Sequence, residues 1–179
     1  VNRQGKLTVE AGGVASNTSG YIGRDSGSTG TATVTGANSI WDNSGSLYVG
    51  RYGTGAVTIE NGGRVENTAG YIGIYSGASG TVEVKGTGST WENDGDLYIG
   101  GWSTHRGSAD VLIQGGGTLA VTGDTKVYSG STISLNGGTL RTSTLSAMDG
   151  TIADKLQFNS GELNFTGPGG LVVDTNGFM

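Results

Sequence analysis

Three observations predict an all-β fold, a single right-handed parallel β-helix (a β-solenoid) of about seven coils, with about 25 residues and three short strands per coil. The chain repeats itself at a fixed spacing, its apolar residues alternate over short runs, and 37 glycines stand against one proline, Pro168. The repeat is plainest at fifty residues. Tyr21-Ile22-Gly23 returns as Tyr71-Ile72-Gly73, Ser39-Ile40-Trp41-Asp42-Asn43 as Ser89-Thr90-Trp91-Glu92-Asn93, and Leu47-Tyr48-Val49-Gly50 as Leu97-Tyr98-Ile99-Gly100. Self-similarity at a fixed period marks stacked repeats, and it moves the functional question from a pocket to the surface of a rod.

The fifty-residue unit divides in two. The Tyr-(Ile/Val)-Gly signature falls at Tyr21, Tyr48, Tyr71 and Tyr98, in steps of 27, 23 and 27, and Val127-Tyr128-Ser129-Gly130 reads as the next match. The alternation Leu7-Thr8-Val9 returns as Ala32-Thr33-Val34, Val57-Thr58-Ile59, Val82-Glu83-Val84, Val111-Leu112-Ile113 and Ile133-Ser134-Leu135, each followed by a glycine turn. Alternation over three to five residues makes strands: a helix needs apolar positions at i, i+3 and i+4 over about ten residues, and each glycine inside it costs about 1 kcal/mol. Three short strands per unit, each pairing with its equivalents above and below at about 4.8 Å, give a rod about 35 Å long. Parallel crossovers are right-handed by strong preference. Coil starts are expected near Tyr21, Leu47, Tyr71, Leu97, Lys126 and Thr151.

Within each strand, neighbours face opposite sides, so Leu47 and Val49 point inward and Tyr48 outward. The column Ala15, Trp41, Val65, Trp91 alternates small and large, which lets an inward Trp stack on a smaller residue without overpacking and makes two coils the true repeat. Beside it runs Asn17, Asn43, Asn67, Asn93. These amides are expected to bond along the axis as a ladder and to tolerate left-handed corners. From Ser131 onward the loop before the strand disappears and the signature fades, so residues 131–179 read as leaner coils of the same domain.

Composition narrows the function. The net charge is -5 and the 10 basic residues are scattered, so no nucleic-acid stripe is formed. No apolar run reaches the roughly 18 residues of a membrane span, and direct membrane insertion by this segment is not expected. The absence of cysteine removes disulfides and thiolate chemistry, and suits a chain exported unfolded through a periplasm. The chain opens at Val1 inside a patterned segment and stops at Met179 just after Leu171-Val172-Val173, which reads as a fragment of something longer.

The string Tyr-Ile-Gly, six loop residues, Gly-Thr-(Ala/Val)-x-Val, Gly-x-x-Ser-x-Trp-x-Asn and Leu-Tyr-(Val/Ile)-Gly resembles the repeat of type V autotransporter passengers and of some PEP-CTERM surface proteins. Leu135-Asn-Gly-Gly-Thr-Leu140, and the segment from Gly167 to Gly177, resemble the plainer strand repeat that often follows it. The resemblance covers residues 5–130 and, more loosely, 131–179. It implies an extracellular passenger displayed at a Gram-negative outer membrane for adhesion or surface coating, attached through a translocator barrel elsewhere in the chain.

Candidate chemistry falls in four places. Asp42, Glu66 and Glu92 form an acidic column; stacked carboxylates could hold a hard cation such as Ca²⁺, or be solvated and neutralised by Arg64 or Lys85. Their repetition in register differs from the two carboxyls in distinct environments that a glycosidase needs, and no catalytic residue is assigned. His105 lies in Ser103-Thr104-His105-Arg106-Gly107, a loop four residues longer than its counterparts, and is expected to be solvated. Tyr21, Tyr48, Tyr71, Tyr98 and Tyr128 form one outward aromatic column, and Asp25, Tyr52, Tyr75 and Trp102 a second beside it. Such a face could stack on sugar rings or bury against a protein, or merely stiffen its own sheet. The outward Thr8, Thr33 and Thr58 suggest an ice-binding array, but Glu83 and Leu112 interrupt it.

The expected role is therefore structural: a non-enzymatic passenger segment that extends an adhesive or coat-forming rod, without a cofactor. The alternative is a module binding surface glycans, or host or neighbouring-cell proteins, through Tyr48, Tyr52, Tyr71, Tyr75, Tyr98 and Trp102. A polysaccharide-degrading enzyme is the weaker alternative. Unpaired strand edges at both ends also suggest head-to-tail self-association.

Overall fold

The computed structural model describes residues 4–167, and these wind as a parallel β-solenoid with three walls. The first wall stacks β1 (Gln4–Val9), β4 (Thr29–Thr35), β7 (Thr54–Glu60), β10 (Ser79–Lys85), β15 (Ser108–Gln114) and the leading halves of β18 (Ser131–Thr142) and β20 (Leu156–Phe165). The second stacks β2 (Val14–Asn17), β5 (Ile40–Asn43), β8 (Arg64–Asn67), β11 (Thr90–Asn93), β16 (Thr118–Val121) and the trailing halves of β18 and β20. The third stacks β3 (Gly20–Ile22), β6 (Leu47–Val49), β9 (Gly70–Ile72), β12 (Leu97–Ile99), β17 (Thr125–Val127) and β19 (Leu145–Ala147). That makes six complete coils and two walls of a seventh. The one antiparallel pairing among the described residues is a short hairpin, β13 (Gly101–Trp102) with β14 (His105–Arg106).

Register follows the sequence period. On the first wall Val9, Val34, Ile59 and Val84 pair in steps of 25, and the step to Ile113 is 29 because the hairpin intervenes. Beyond it the steps shorten to 22 at Leu135 and 23 at Phe158. The leaner coils arise because β18 runs through the corner as one strand, with the register shifting between Ile113 and Gln114 where earlier coils place a separate glycine turn. Residues 168–179, which carry most of the Gly167 to Gly177 segment and Leu171-Val172-Val173, lie outside the described residues.

The core is the axis of the stack. Val34, Ile59, Val84, Ile113 and Leu135 from the first wall meet Val49, Ile72, Ile99 and Val127 from the third, all fully buried. Ala15, Trp41, Val65, Trp91 and Leu119 stand in register on the second wall, confirming the small–large alternation. The space for each Trp comes from a second alternation on the third wall, Gly20, Leu47, Gly70, Leu97. A methyl group on Gly70 would lie 2.6 Å from Leu97 Cδ1 and 3.2 Å from Trp91 Cζ2. A coil bearing Trp and Leu thus nests on a coil bearing Val or Ala and Gly, which is why fifty residues repeat better than 25.

Three expectations are corrected. The asparagines form two separate pairs instead of a continuous ladder. Asn17 Nδ2 donates to Asn43 Oδ1 at 2.6 Å, but Asn43 Nδ2 turns to the Glu66 carbonyl at 3.1 Å, and a new pair begins with Asn67 donating to Asn93. Each pair is completed by an indole: Trp41 Nε1 donates to Asn17 Oδ1 at 2.8 Å and Trp91 Nε1 to Asn67 Oδ1 at 2.6 Å. The amide column therefore obeys the two-coil repeat because Trp arrives only every second coil. Second, these four asparagines are the extended last residues of their strands, and the left-handed corners fall to Ala11, Asn38, Asn61 and glycines. Third, Thr151 does not start a coil: Leu145–Ala147 is the rung, and Thr151 caps the four-residue helix α1 (Ile152–Lys155), its hydroxyl accepting from the Asp154 amide. Ile152 from that turn enters the core.

Candidate functional site

The third wall carries the aromatic columns. Because Ile22, Val49, Ile72 and Ile99 are buried, the residue before each must face out, and Tyr21, Tyr48, Tyr71 and Tyr98 stand in register. Their ring centroids are 4.8, 4.9 and 5.1 Å apart with interplanar angles of 1°, 9° and 3°. That separation is the strand spacing itself, so each ring lies flat on the next. The faces of these rings are spent on one another, and a ligand approaching the wall meets ring edges and phenol oxygens. The column ends at Lys126, which pairs with Tyr98 and places its ammonium 5.1 Å from that ring. Lys126 Nζ also meets Asp96 at 2.5 Å, and the Tyr98 hydroxyl donates to the same carboxylate at 3.1 Å. Burial pushes the Asp96 carboxyl up, but hydrogen bonds from Lys126, the Asp124 amide and Tyr98 together hold it below the ordinary aspartate value.

Tyr128 does not continue the column. Val127 pairs with Ile99, so Tyr128 falls one residue past the strand and is buried, with the Arg106 guanidinium 4.4 Å from its ring. Val127-Tyr128-Ser129-Gly130 looks like the signature, but a slip of one residue turns a side chain to the opposite face.

The second column begins as expected, with Tyr52 and Tyr75 stacked at 4.3 Å. It does not pass directly to Trp102. His105 comes between: its ring meets the Tyr75 ring at 4.8 Å, steeply inclined, and stacks with Trp102 at 6.2 Å. The four-residue insertion is the β13–β14 hairpin, turning at Ser103 with φ of 56°. Arg106 holds it, donating to the Ser103 carbonyl at 2.7 Å and to Asp149 at 3.1 Å. His105 is solvent-exposed, as expected of a loop, but it is also the next member of the aromatic column. Its ring neighbours lie in another coil and across the turn, out of reach of a search along the chain.

Between the columns lies a residue the sequence reading passed over. The Arg51 guanidinium carbon is 5.8 Å from the Tyr21 ring centre, 5.5 Å from Tyr48, 5.2 Å from Tyr52 and 5.9 Å from Tyr75. Arg24, its equivalent one coil earlier, sits 5.1 Å from the Tyr21 ring. The two stand in step because the Arg51 amide donates to the Gly23 carbonyl at 3.0 Å. In the third coil the position is Ile74, which turns inward. The available signal was an arginine following the glycine of two successive signatures.

The acidic column is in register as read, Asp42 opposite Glu66 and Glu66 opposite Glu92. Arg64 Nη2 lies 2.6 Å from both Glu66 and Glu92, which supports neutralisation by a side chain. Hydrogen bonding to Glu92 raises the Arg64 pKa above its ordinary value despite partial burial. Lys85 is engaged elsewhere, with Glu60 and Glu83. Among the described residues no group of three or more His, Cys, Asp or Glu is placed to hold a metal. Thr8, Thr33 and Thr58 also align, and Glu83 and Leu112 follow them in register. Comparison with protein-family models, curated proteins and solved structures returns no match.

Proposed function

We propose that this chain is a structural segment of a surface-displayed bacterial passenger, a stiff spacer within an adhesin or coat protein. The observation that carries the reading is the parallel pairing of three walls through six coils, interrupted among the described residues by one short antiparallel hairpin. In such a stack each coil contacts only its neighbours, so length is gained by adding coils without redesigning the core. A concavity of about 470 Å³ is lined by Leu7, Ala15, Asn17, Tyr21 and Trp41, at the first described coil. The resemblance of residues 5–130 to autotransporter and PEP-CTERM repeats supports display outside the cell. Antibodies against the chain should label intact cells of the source bacterium, and labelling that requires permeabilisation would overturn the proposal.

A second role for the same rod is recognition of a glycan or protein partner by the aromatic wall. It is favoured by Arg51, a cation held among four tyrosines without a carboxylate partner among the described residues.

A further inference from the structure

Among the described residues, the partly or fully buried basic side chains follow a rule with one exception. Arg64, Lys85, Arg106, Lys126 and Lys155 are partly or fully buried, and each lies against a carboxylate. Arg51 is also partly buried but has no ion pair among the described residues, and its Nε is fully buried with no hydrogen-bond partner. A guanidinium carries five donors in a planar fork. The rings around it supply no oxygen acceptor to its Nε. Arg24, one coil away and exposed, adds a second positive charge in step with the first. Both guanidiniums lie against the Tyr21 ring, 5.1 and 5.8 Å from its centre, so an oxyanion placed between them would be attracted by both.

We propose that Arg24 and Arg51, with the flanking tyrosine hydroxyls, bind an acidic polysaccharide by its carboxylate or sulfate groups. The proposal rests on the recognition reading and names its ligand. The tyrosine rings lie face on face, so a neutral sugar has little ring surface to stack on. What the wall presents is a row of phenol oxygens rising one per coil beside two guanidiniums. A linear sugar chain advances by a similar distance per residue, so hydroxyl and anionic groups along it meet phenols and arginines in turn. The remainder of the surface is net acidic, which confines an anionic chain to this patch.

The test uses the 179-residue chain against immobilised polygalacturonate, dextran sulfate, neutral dextran and polyglutamate, read by interferometry at low and physiological salt. The expected result is binding to one or both acidic polysaccharides, weakened roughly tenfold to a hundredfold by Arg51→Gln or by Arg24→Gln. Arg141→Gln, which removes an exposed cation elsewhere, should change binding by less than about twofold. Arg51→Lys keeps the charge without the fork and should fall between wild type and Arg51→Gln. Preference for polygalacturonate assigns a uronate, and preference for dextran sulfate a sulfate. Circular dichroism reports folding, and Arg24→Gln, at an exposed position, serves if Arg51→Gln does not fold. Equal losses from all three Gln variants, or polyglutamate binding as tight as either polysaccharide, would overturn the proposal. Dextran binding indifferent to Arg51 would overturn it while leaving glycan recognition standing, and no binding to any carbohydrate would remove both.

Discussion

Replacing Asn67 with alanine tests the paired indole–amide arrangement at its most enclosed point. Asn67 accepts from Trp91 Nε1 at 2.6 Å and donates to Asn93. Both Asn67 and Trp91 are buried, at 3% and 1% exposure. Asn67→Ala strands an indole N–H and an amide oxygen where water has no access. At about 1–3 kcal/mol for each orphaned group, a loss of about 3–5 kcal/mol is expected. Asn17→Ala is the matched control: it removes the same bonds, from Trp41 Nε1 at 2.8 Å and to Asn43 Oδ1 at 2.6 Å. Asn17 is solvent-exposed, so water can take its place and the loss should stay below about 1 kcal/mol. Urea unfolding followed by tryptophan fluorescence and by far-ultraviolet circular dichroism measures both, the two probes being needed because repeat arrays can unfold in parts. With about 2–4 °C per kcal/mol for a chain of this size, melting should fall by roughly 6–20 °C in the first variant and under about 4 °C in the second. Equal destabilisation within about 0.5 kcal/mol would show that burial does not set the value of this network.

Two further outcomes follow from the same geometry. Gly50 has φ of +71°, and an added Cβ would be driven into the Ser79 carbonyl oxygen, whereas Gly77 has φ of +79° with open space around it. Gly77→Ala should cost about 1–2 kcal/mol for the left-handed backbone alone, and Gly50→Ala clearly more, as read by denaturant midpoints. Comparable losses would refute the steric account of the signature glycine. The tyrosine column should make the fold sensitive to alkali. Burial raises the Tyr71 phenol above 10.0, with Tyr48 and Tyr98 adding to it, and burial followed by the bond to Asp96 raises Tyr98. A raised folded value means that the contribution is whole below the free phenol's pKa of about 10 and is lost as pH climbs through the folded value. Melting temperature should hold from pH 7 to 9 and drop above about 10; Tyr71→Phe should soften the drop, and an unchanged alkaline limb would count against the stack.

Much of this architecture was legible because it is written in short periods. Alternation by two places Val34, Ile59 and Val84 inside and Tyr48 and Tyr71 outside, and the 25-residue step aligns them. Legibility failed where register and resemblance part company. Val127-Tyr128-Ser129-Gly130 copies the signature but sits one residue out of step, which buries Tyr128. Thr151 falls where the period places another coil start, yet Thr151 and Asp154 cap each other's backbone and close a helical turn. The Asn column was visible as a column, but its division into pairs depends on which neighbour each amide faces, and only the indole positions in space decide that.

The sequence by itself determined the solenoid, its wall positions and the Tyr48, Tyr52, Tyr71, Tyr75, Tyr98 and Trp102 face, since inward and outward placement is a local property of an extended chain. Tertiary structure alone decided that the tyrosine ring faces are closed against each other, that His105 joins Tyr75, and that Arg51 stands among four tyrosines without a carboxylate partner among the described residues. The reason is distance along the chain. These contacts join side chains from different coils or across a turn, and they depend on loop length and side-chain rotation, neither of which leaves a periodic trace in the residue order.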